Sequence, residues 1–414
     1  MIDILKKYLK IEDHGRDLYF LLLIGWLYSI GLFLSNTFVN IYLWRQTEDY
    51  FIIASYHLAI NIAKTITFVI AGKIVKKIDR VIVLRLGVTF LSLFFLTVLI
   101  LQEKAATFNV LLGMLIGIGY GFYWLSFNVL TFEITEPFNR VLFNGLLGSL
   151  QSISGMIGPL LAGTIILRMK TNIGYMTIFT VSFLLFILAV IISFFLQRRE
   201  TDGIYDLHTV TKEITRNSDW RQILLANFSQ GIRDGIFLFV ISIWIFLETR
   251  NEFSLGMFNL LLNGSSLVIF MFLLKFMKDE HRRIYIFIGS IIISFAIWII
   301  LTDLSFSRML LYALIVGIGF PIIIVPFQSL TYDIIGKGYE AKDLRIEYIV
   351  LLEIFSNMGS IIAITTFIIV LKFVTIINPI PIMLAVFSLS YLMIYFFIIP
   401  IKISYSHSEK KPSV

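Results

Sequence analysis

The segment GIGYGFYWLSFNVLTFEI at residues 117–134 has a counterpart two hundred residues later, GIGFPIIIVPFQSLTYDI at 317–334. Seven of the 18 positions are identical, and others exchange similar side chains, such as Asn128 for Gln328 and Glu133 for Asp333. Neither copy contains Lys or Arg, and each is long enough for one membrane-spanning helix. One apolar helix present twice at a fixed spacing indicates a duplicated structural unit.

The offset of about 200 recurs elsewhere in the chain. IYLWRQTE at 41–48 matches ISIWIFLE at 241–248, and KIVKKIDRVIVLRLG at 73–87 matches KFMKDEHRRIYIFIG at 275–289. The duplication therefore covers long halves of the sequence rather than a single helix.

The composition excludes an ordinary soluble domain. Of 414 residues, 58% are hydrophobic and 15% are charged, whereas soluble domains carry about 25% charged residues. Apolar runs of about 20 residues match the thickness of a bilayer and must be helical, because lipid cannot satisfy backbone hydrogen bonds. The chain has no cysteine, which excludes disulfides and thiolate metal sites.

The sequence predicts an all-α membrane protein with 12 transmembrane helices in two six-helix bundles. We number the predicted helices as spans one to twelve. Their predicted bounds are 18–44, 51–72, 82–101, 107–132, 141–167, 174–196, 221–247, 254–274, 284–302, 307–332, 346–371 and 379–400. The predicted organisation is an amphipathic segment at 1–17, a first bundle at 18–196, a linker at 197–220, a second bundle at 221–400 and a tail at 401–414.

The first 17 residues do not resemble a secretory signal, because they are charged and the following apolar run is too long. MIDILKKYLK separates apolar from basic residues as a helix lying on the membrane surface would, although a frayed basic tail explains it equally well.

Lys and Arg are distributed unequally between the two sets of loops. Of the 34 basic residues, 25 fall in the set that contains both termini, 7 in the other set, and Lys64 and Arg233 lie inside spans. The positive-inside rule then predicts that both termini and the linker are cytoplasmic. The net charge of +7 is explained by topology, and no nucleic-acid partner is expected.

Six spans per half give both halves the same orientation, which makes a parallel repeat about an axis along the membrane normal. Such repeats place a binding site between the halves near the bilayer midplane, and rocking of the halves exposes it to each side in turn.

Two local motifs identify a family. The loop after span two keeps Gly72 and Arg80 of the pattern G-x-L-a-D-r-x-G-r-k, but has Lys76 at the acidic position. Span five places small residues at every required position of the pattern G-x8-G-x3-G-P-x2-G-G, with Gly158-Pro159 at its centre. Together with the repeat, these motifs resemble the major facilitator superfamily over essentially the whole chain. The span-five pattern is associated with the antiporters of that family, although generic packing of small residues is an alternative explanation.

The resemblance implies a cavity lined by spans one, four, seven and ten and gating ion pairs at the cytoplasmic side. The implied pairs are Arg80–Glu133, Arg282–Asp333 and, with reversed signs, Lys76–Glu347. The family's proton-driven drug exporters usually carry an arginine in span four, which this chain lacks, so the coupling site is expected elsewhere.

Ionisable residues inside a span cost several kcal/mol unless they are paired or hydrated, so each is a functional hypothesis. In span seven, Asn227, Gln230 and Asp234 share one helical face, with Arg233 adjacent. We expect Asp234 to be the protonatable carboxylate and Arg233 to be its charge partner or a substrate anchor. The alternative is a static neutralised pair.

Span two carries His57, Asn61 and Lys64 on one face, directed either to the cavity or to the polar stripe of span eight. His57 could relay a proton or simply join the halves by a hydrogen bond. Lys64 could bind an anionic substrate group or pair with a carboxylate such as Glu353.

The other predicted cavity residues are aromatic or carry amides, which suits an amphipathic or aromatic solute. For the aromatic residues, packing in the core is the alternative. These residues are Tyr120, Trp124 and Asn128 in span four, Asn36 and Asn40 in span one, and Asn357 beside Glu353 in span eleven.

The expected function is secondary transport across a bacterial-type cytoplasmic membrane, exporting a small or amphipathic compound in exchange for protons. Three alternatives remain: a flippase for a lipid or lipid-linked precursor, a sugar uptake symporter, and a non-transporting sensor or assembly factor. No enzymatic motif is found, and no metal or cofactor is expected beyond a transmembrane proton gradient. The expected partners are the bilayer and the substrate, with the chain acting as a monomer.

Overall fold

The computed structural model describes residues 15–135, 137–169, 171–198, 203–277, 279–374 and 378–401, and the regular secondary structure within them is helical. Eleven helical stretches there are apolar and long enough to cross a membrane. The longest, Arg80–Ile134, is divided by a 3-10 segment at Gln102–Phe108, which gives the 12 predicted spans. Their bounds are Gly15–Thr47, Tyr50–Lys77, Arg80–Leu101, Asn109–Ile134, Pro137–Arg168, Thr171–Ser193, Ser218–Thr249, Glu252–Phe276, Arg282–Ala296 with Trp298–Thr302, Phe306–Gly336, Arg345–Phe373, and Ile380–Ser388 with Ser390–Ile398.

Short capped turns separate consecutive spans. Asp49, Asp79 and Asn251 each accept a hydrogen bond from the backbone N–H two residues later and so begin spans two, three and eight. Spans one and seven end in left-handed residues, Glu48 and Arg250, at equivalent places in the two halves. An Asx cap supplies an acceptor for a helix N–H that has no partner in the helix.

The predicted linker at 197–220 contains a helix at Leu207–Arg216, and span seven begins at Ser218. Asp206 caps this linker helix by accepting hydrogen bonds from the Thr209 N–H and hydroxyl, which hold the pKa of the Asp206 carboxyl below its usual value. The predicted amphipathic segment lies outside the described residues except for 15–17, as does the tail except for 401.

The duplicated Gly-Ile-Gly makes the same two contacts in each half. A Cβ on Gly117 would lie 2.5 Å from the Ile60 carbonyl oxygen of span two, and one on Gly317 would lie 2.4 Å from the Leu262 carbonyl oxygen of span eight. A Cβ on Gly119 would similarly touch Leu91 of span three, and one on Gly319 would touch Ile292 of span nine. The segment is therefore conserved between the halves because two neighbouring helices pack directly on its backbone.

The two bundles have matching internal packing. Span four packs on spans two and three, and span ten packs on spans eight and nine in the same way. Spans one and six pack on each other, as do spans seven and twelve. The bundles meet mainly where span five packs on span eight and where span two packs on span eleven. Of the polar residues at this seam, Lys64 of span two pairs with Glu353 of span eleven, and Asn263 of span eight donates to the Gly155 carbonyl of span five.

Candidate functional site: the cavity and gates between the bundles

A cavity of about 490 Å³ lies between the bundles, toward the side that holds both termini. Spans four, five, seven, ten and eleven line it, and two lining residues are charged, Arg345 and Glu353. The lining residues are Asn128, Thr131, Phe132, Asn144, Asn227, Gln230, Phe327, Gln328, Thr331, Tyr332, Ile335, Arg345, Ile349, Leu352, Glu353 and Ser356. The volume is in the range of small-molecule sites, and the lining combines aromatic rings with carboxamides.

An ion pair joins the bundles next to this cavity. The Lys64 ammonium in span two lies 3.0 Å from the Glu353 carboxylate in span eleven and 5.5 Å from the centre of the Phe68 ring. The side chains are 22% and 34% exposed, and Glu353 lines the cavity whereas Lys64 is not among its lining residues. The sequence left two roles open for Lys64, and the structure contains the pairing with Glu353.

Arg233 and Asp234 are placed behind the cavity wall, inside the second bundle. Their side chains lie 3.5 Å apart. Asp234 accepts hydrogen bonds from the Tyr391 hydroxyl at 3.0 Å and from the Gln230 amide at 3.3 Å. Arg233 is buried, donates to the Tyr312 hydroxyl and lies over the Phe237 ring. Gln230 lines the cavity and therefore connects Asp234 to it, whereas Asp234 is not among the lining residues.

His57 contacts both bundles. Its Nε2 lies 2.9 Å from the Asn40 carboxamide oxygen in span one, and its ring stacks on Phe239 of span seven. The hydrogen bond therefore stays within the first bundle, and the contact that reaches the second bundle is the ring stacking on Phe239.

The remaining predicted cavity residues have varied surroundings. Asn61 donates to the His57 carbonyl of its own helix, and Trp124 packs edge-on against Tyr28 and Tyr123. Tyr120 and Asn36 are half-buried, and Asn357 is buried with an Nδ2 that has no hydrogen-bond partner among the described residues. Of all the predicted cavity residues, Asn128, Asn227, Gln230 and Glu353 line the cavity.

The termini side carries a buried ion pair between the bundles. Lys76 Nζ lies 2.5 Å from Glu347 Oε1, and the Glu347 side chain is fully buried. The linker adds to this pair: the Asp206 N–H donates to Glu347 Oε1 at 3.0 Å, and the Gly203 N–H donates to the Lys76 carbonyl. The linker ring of Tyr205 covers Gly72, where a Cβ would lie 2.8 Å from the ring.

The two repeat-related ion pairs implied by the family are also present, each within one bundle. Arg80 Nε lies 2.6 Å from Glu133, and Arg282 lies 2.5 Å from Asp333. Each pair fixes the loop after span two or span eight to the end of span four or span ten.

The opposite side is closed by residues that the sequence argument did not select. Glu252, at the start of span eight, is 5% exposed, pairs with Arg45 of span one at 3.3 Å and accepts a hydrogen bond from the Tyr175 hydroxyl of span six. An acidic residue in the first turn of a helix also interacts favourably with the helix dipole. The position of Glu252 in the sequence therefore does not distinguish an ion pair between spans from an ordinary acid at a helix start.

The small residues of span five contact two neighbouring helices. Gly158 and Pro159 lie inside the helix, where a Cβ on Gly158 would lie 3.1 Å from span one, and Gly163 similarly contacts span eight. Gly145 differs, because nothing lies within 4 Å of a Cβ added there.

Twelve spans in two matched bundles around a central cavity define a membrane transporter of the secondary type. The chain belongs to the Major Facilitator Superfamily, whose family model matches residues 19–363.

Similar proteins cover most of the chain. The uncharacterized protein YqgE of Bacillus subtilis (strain 168) is 46% identical over 407 residues, covering 98% of this chain and 95% of that protein. An uncharacterized protein in the sodM 3' region of Geobacillus stearothermophilus is 54% identical over 168 residues, covering 41% of this chain and 78% of that protein. The crystal structure of the human organic anion transporter MFSD10 (TETRAN) aligns with a TM-score of 0.69 at 12% identity, covering 94% of this chain and 100% of that chain. That likeness supports the fold alone.

Proposed function

We propose that this protein exports a small amphipathic compound across the bacterial cytoplasmic membrane in exchange for protons, by alternating access of the central cavity. The observation that carries the proposal is the Lys64–Glu353 pair, which crosses the seam at the edge of the cavity. A substrate that enters the cavity reaches these charges, and rocking of the bundles must change their separation. The span-five pattern supports export.

For proton coupling we propose Asp234. Its carboxylate is held by Tyr391 and Gln230, and Gln230 also faces the cavity. Protonation would weaken the attraction to Arg233 and change the hydrogen bond to Gln230, so that substrate occupancy and proton occupancy affect each other. A lipid-flipping role is less well supported, because many of the cavity-lining side chains are polar.

The direct test uses inside-out membrane vesicles with an imposed pH gradient. Addition of a transported amphipath should release protons in vesicles with the wild-type protein and should have no effect with Asp234→Asn. A response confined to lipid headgroups would favour the flippase. If Asp234→Asn responds as the wild type does, the assignment of the coupling site is wrong.

The proposed topology places both termini in the cytoplasm, and single cysteines can test it because the chain has none of its own. Lys104→Cys and Lys372→Cys should react with an impermeant maleimide added to intact cells. Lys77→Cys and Lys337→Cys should react only after the membrane is opened. The reverse pattern would contradict the orientation given by the positive-inside rule.

Removing one member of the Lys64–Glu353 pair should destabilise the protein. Because the pair is partly exposed, we expect Glu353→Gln to cost about 1–2 kcal/mol of unfolding free energy, less than the ~3–5 kcal/mol of a fully buried pair. Lys64→Met together with Glu353→Gln should recover most of that loss, which thermal unfolding in detergent measures.

The control for this cycle is the exposed pair Arg308–Asp303, which is 3.4 Å apart. Its single neutralisation should cost less than about 1 kcal/mol. If single neutralisation lowered the unfolding free energy equally at both pairs, the Lys64–Glu353 pair would be no stronger than an exposed surface pair.

A further inference from the structure

A short part of the linker, residues 203–206, is hydrogen-bonded to both sides of the closed seam. The Gly203 N–H donates to the Lys76 carbonyl of span two at 2.9 Å, and the Asp206 N–H donates to Glu347 Oε1 of span eleven at 3.0 Å. An extended chain covers the three-residue interval between these N–H groups with at most about 10 Å. A wide separation of spans two and eleven must therefore break one of the two hydrogen bonds.

Tyr205 fills the space between spans two and eleven at the same place. A Cβ added to Gly72 of span two would lie 2.8 Å from the Tyr205 ring and 3.1 Å from the Val350 side chain of span eleven. The ring also packs against an apolar cluster that contains residues of spans two, three, four and eleven, and so of both bundles. Glycine at position 72 leaves the room that the ring occupies, because even a methyl group there would require the ring to move.

The Tyr205 side chain makes this contact through its ring rather than through its polar group. The hydroxyl is buried and has no hydrogen-bond partner among the described residues. A buried hydroxyl without a partner costs free energy, so apolar packing holds the ring in place. The neighbouring Ile204 side chain, by contrast, is 85% exposed.

The linker helix that follows, Leu207–Arg216, is attached to the second bundle. It packs mainly on spans seven and eleven, and Asp206 caps it. These contacts can persist when the second bundle moves as one body. The contacts that Gly203 and Tyr205 make with span two cannot persist, because span two belongs to the first bundle.

We propose that residues 203–206 form a latch, with Tyr205 as its wedge, which stabilises closure of the termini side and leaves span two whenever that side opens. On opening, the latch stays with the linker helix and the second bundle, and the contacts of Gly203 with Lys76 and of Tyr205 with Gly72 are lost. The latch rests on the alternating access of the proposed function, but not on proton coupling or on the identity of the substrate.

Distances between spin labels on the purified full-length protein test the latch. Labels at Lys77→Cys and Lys337→Cys report the termini side, and labels at Lys104→Cys and Lys372→Cys report the opposite side. Tyr205→Ala removes the ring and should raise the ratio of open to closed populations on the termini side about tenfold. The distance on the opposite side should shorten in the same variant, which local loosening of the linker would not cause.

Two further variants of the latch serve as controls. Ile204→Ala changes the exposed neighbour of the wedge and should leave both distances as in the wild type. Tyr205→Phe keeps the ring and removes the hydroxyl that has no partner, so the termini side should stay at least as closed as in the wild type.

Gly72→Ala tests the same contact from span two. The added methyl group displaces the Tyr205 ring, so this variant alone should favour the open conformation. Gly72→Ala together with Tyr205→Ala should open the termini side by less than the sum of the two separate effects, because the methyl group then has no ring to displace.

The latch is overturned if Tyr205→Ala leaves the distances unchanged, if Ile204→Ala opens the termini side equally, or if the effects of Gly72→Ala and Tyr205→Ala are fully additive. The proposed function fails separately. If Glu347→Gln opens the termini side and Tyr205→Ala does not, only the latch is wrong. If no variant, solute or pH moves the labels, alternating access itself is wrong. Opening in Tyr205→Ala without any proton flux in vesicles would leave the latch intact and remove proton-coupled export.

Discussion

Replacing Glu347 by glutamine is expected to shift this transporter strongly toward the conformation that is open on the termini side. The Glu347 side chain is fully buried, with Lys76 at 2.5 Å and the Asp206 N–H at 3.0 Å. The variant removes the buried carboxylate that lies against the Lys76 ammonium. Breaking a buried ion pair costs about 3–5 kcal/mol, and the protein can avoid that cost by opening the gate and hydrating Lys76. Since 1.4 kcal/mol is tenfold in population, the closed state should lose about a hundredfold or more.

The shift can be measured by the distance between spin labels at Lys77→Cys and Lys337→Cys, on the two sides of the gate. The label distance should lengthen in Glu347→Gln and should return partly when Lys76→Met is added. Asp343→Asn is the control, since Asp343 is an exposed carboxylate near the same gate. Unchanged distances in Glu347→Gln would mean that the buried pair does not hold the gate closed.

The second large effect is expected at Asp234. Asp234→Asn removes the carboxylate beside Arg233, whose guanidinium is buried and otherwise held by a tyrosine hydroxyl and aromatic rings. We expect a loss of about 3 kcal/mol in unfolding free energy, as for other buried charges left without a partner. Proton exchange should be abolished.

A second variant separates a coupling role from a static one. Arg233→Met together with Asp234→Asn removes both charges and should recover much of the stability while remaining inactive in proton exchange. If the double variant still couples transport to protons, the pair is static and only holds the second bundle together. Tyr391→Phe, which removes one hydrogen bond to Asp234, should retain stability better than Asp234→Asn does.

The fold could be predicted from the sequence because the deciding signals are local or periodic. Apolar runs gave the spans, and the repeat of Gly117-Ile-Gly119 at 317–319 gave the matching bundles. The pair Lys64–Glu353 could be proposed because a charge inside a span needs a partner and few partners exist. The pair Lys76–Glu347 was instead implied by the family resemblance, with the signs reversed. The cytoplasmic orientation remains a prediction.

The site contacts that the sequence did not predict depend on tertiary packing, which leaves little trace in the sequence. Glu252 looks like an ordinary first-turn acid until span eight packs near spans one and six, which supply Arg45 and Tyr175. Gln230 and Asp234 share one face of span seven, and only the tertiary contacts show that Gln230 lines the cavity while Asp234 is held behind it by Tyr391 of span twelve. The linker helix lies in a polar stretch without a transmembrane signal, and its contact with Glu347 required the two bundles to be in place.

Rocking of the two bundles about the cavity can be measured with two pairs of spin labels. Labels at Lys77→Cys and Lys337→Cys report the termini side, and labels at Lys104→Cys and Lys372→Cys report the opposite side. Alternating access predicts two distance populations on each side. The distance on the termini side should lengthen as that on the opposite side shortens, both in Glu347→Gln and when a bound solute or pH changes the balance. A single distance on each side that stays fixed under all of these conditions would contradict alternating access and favour a non-transporting role.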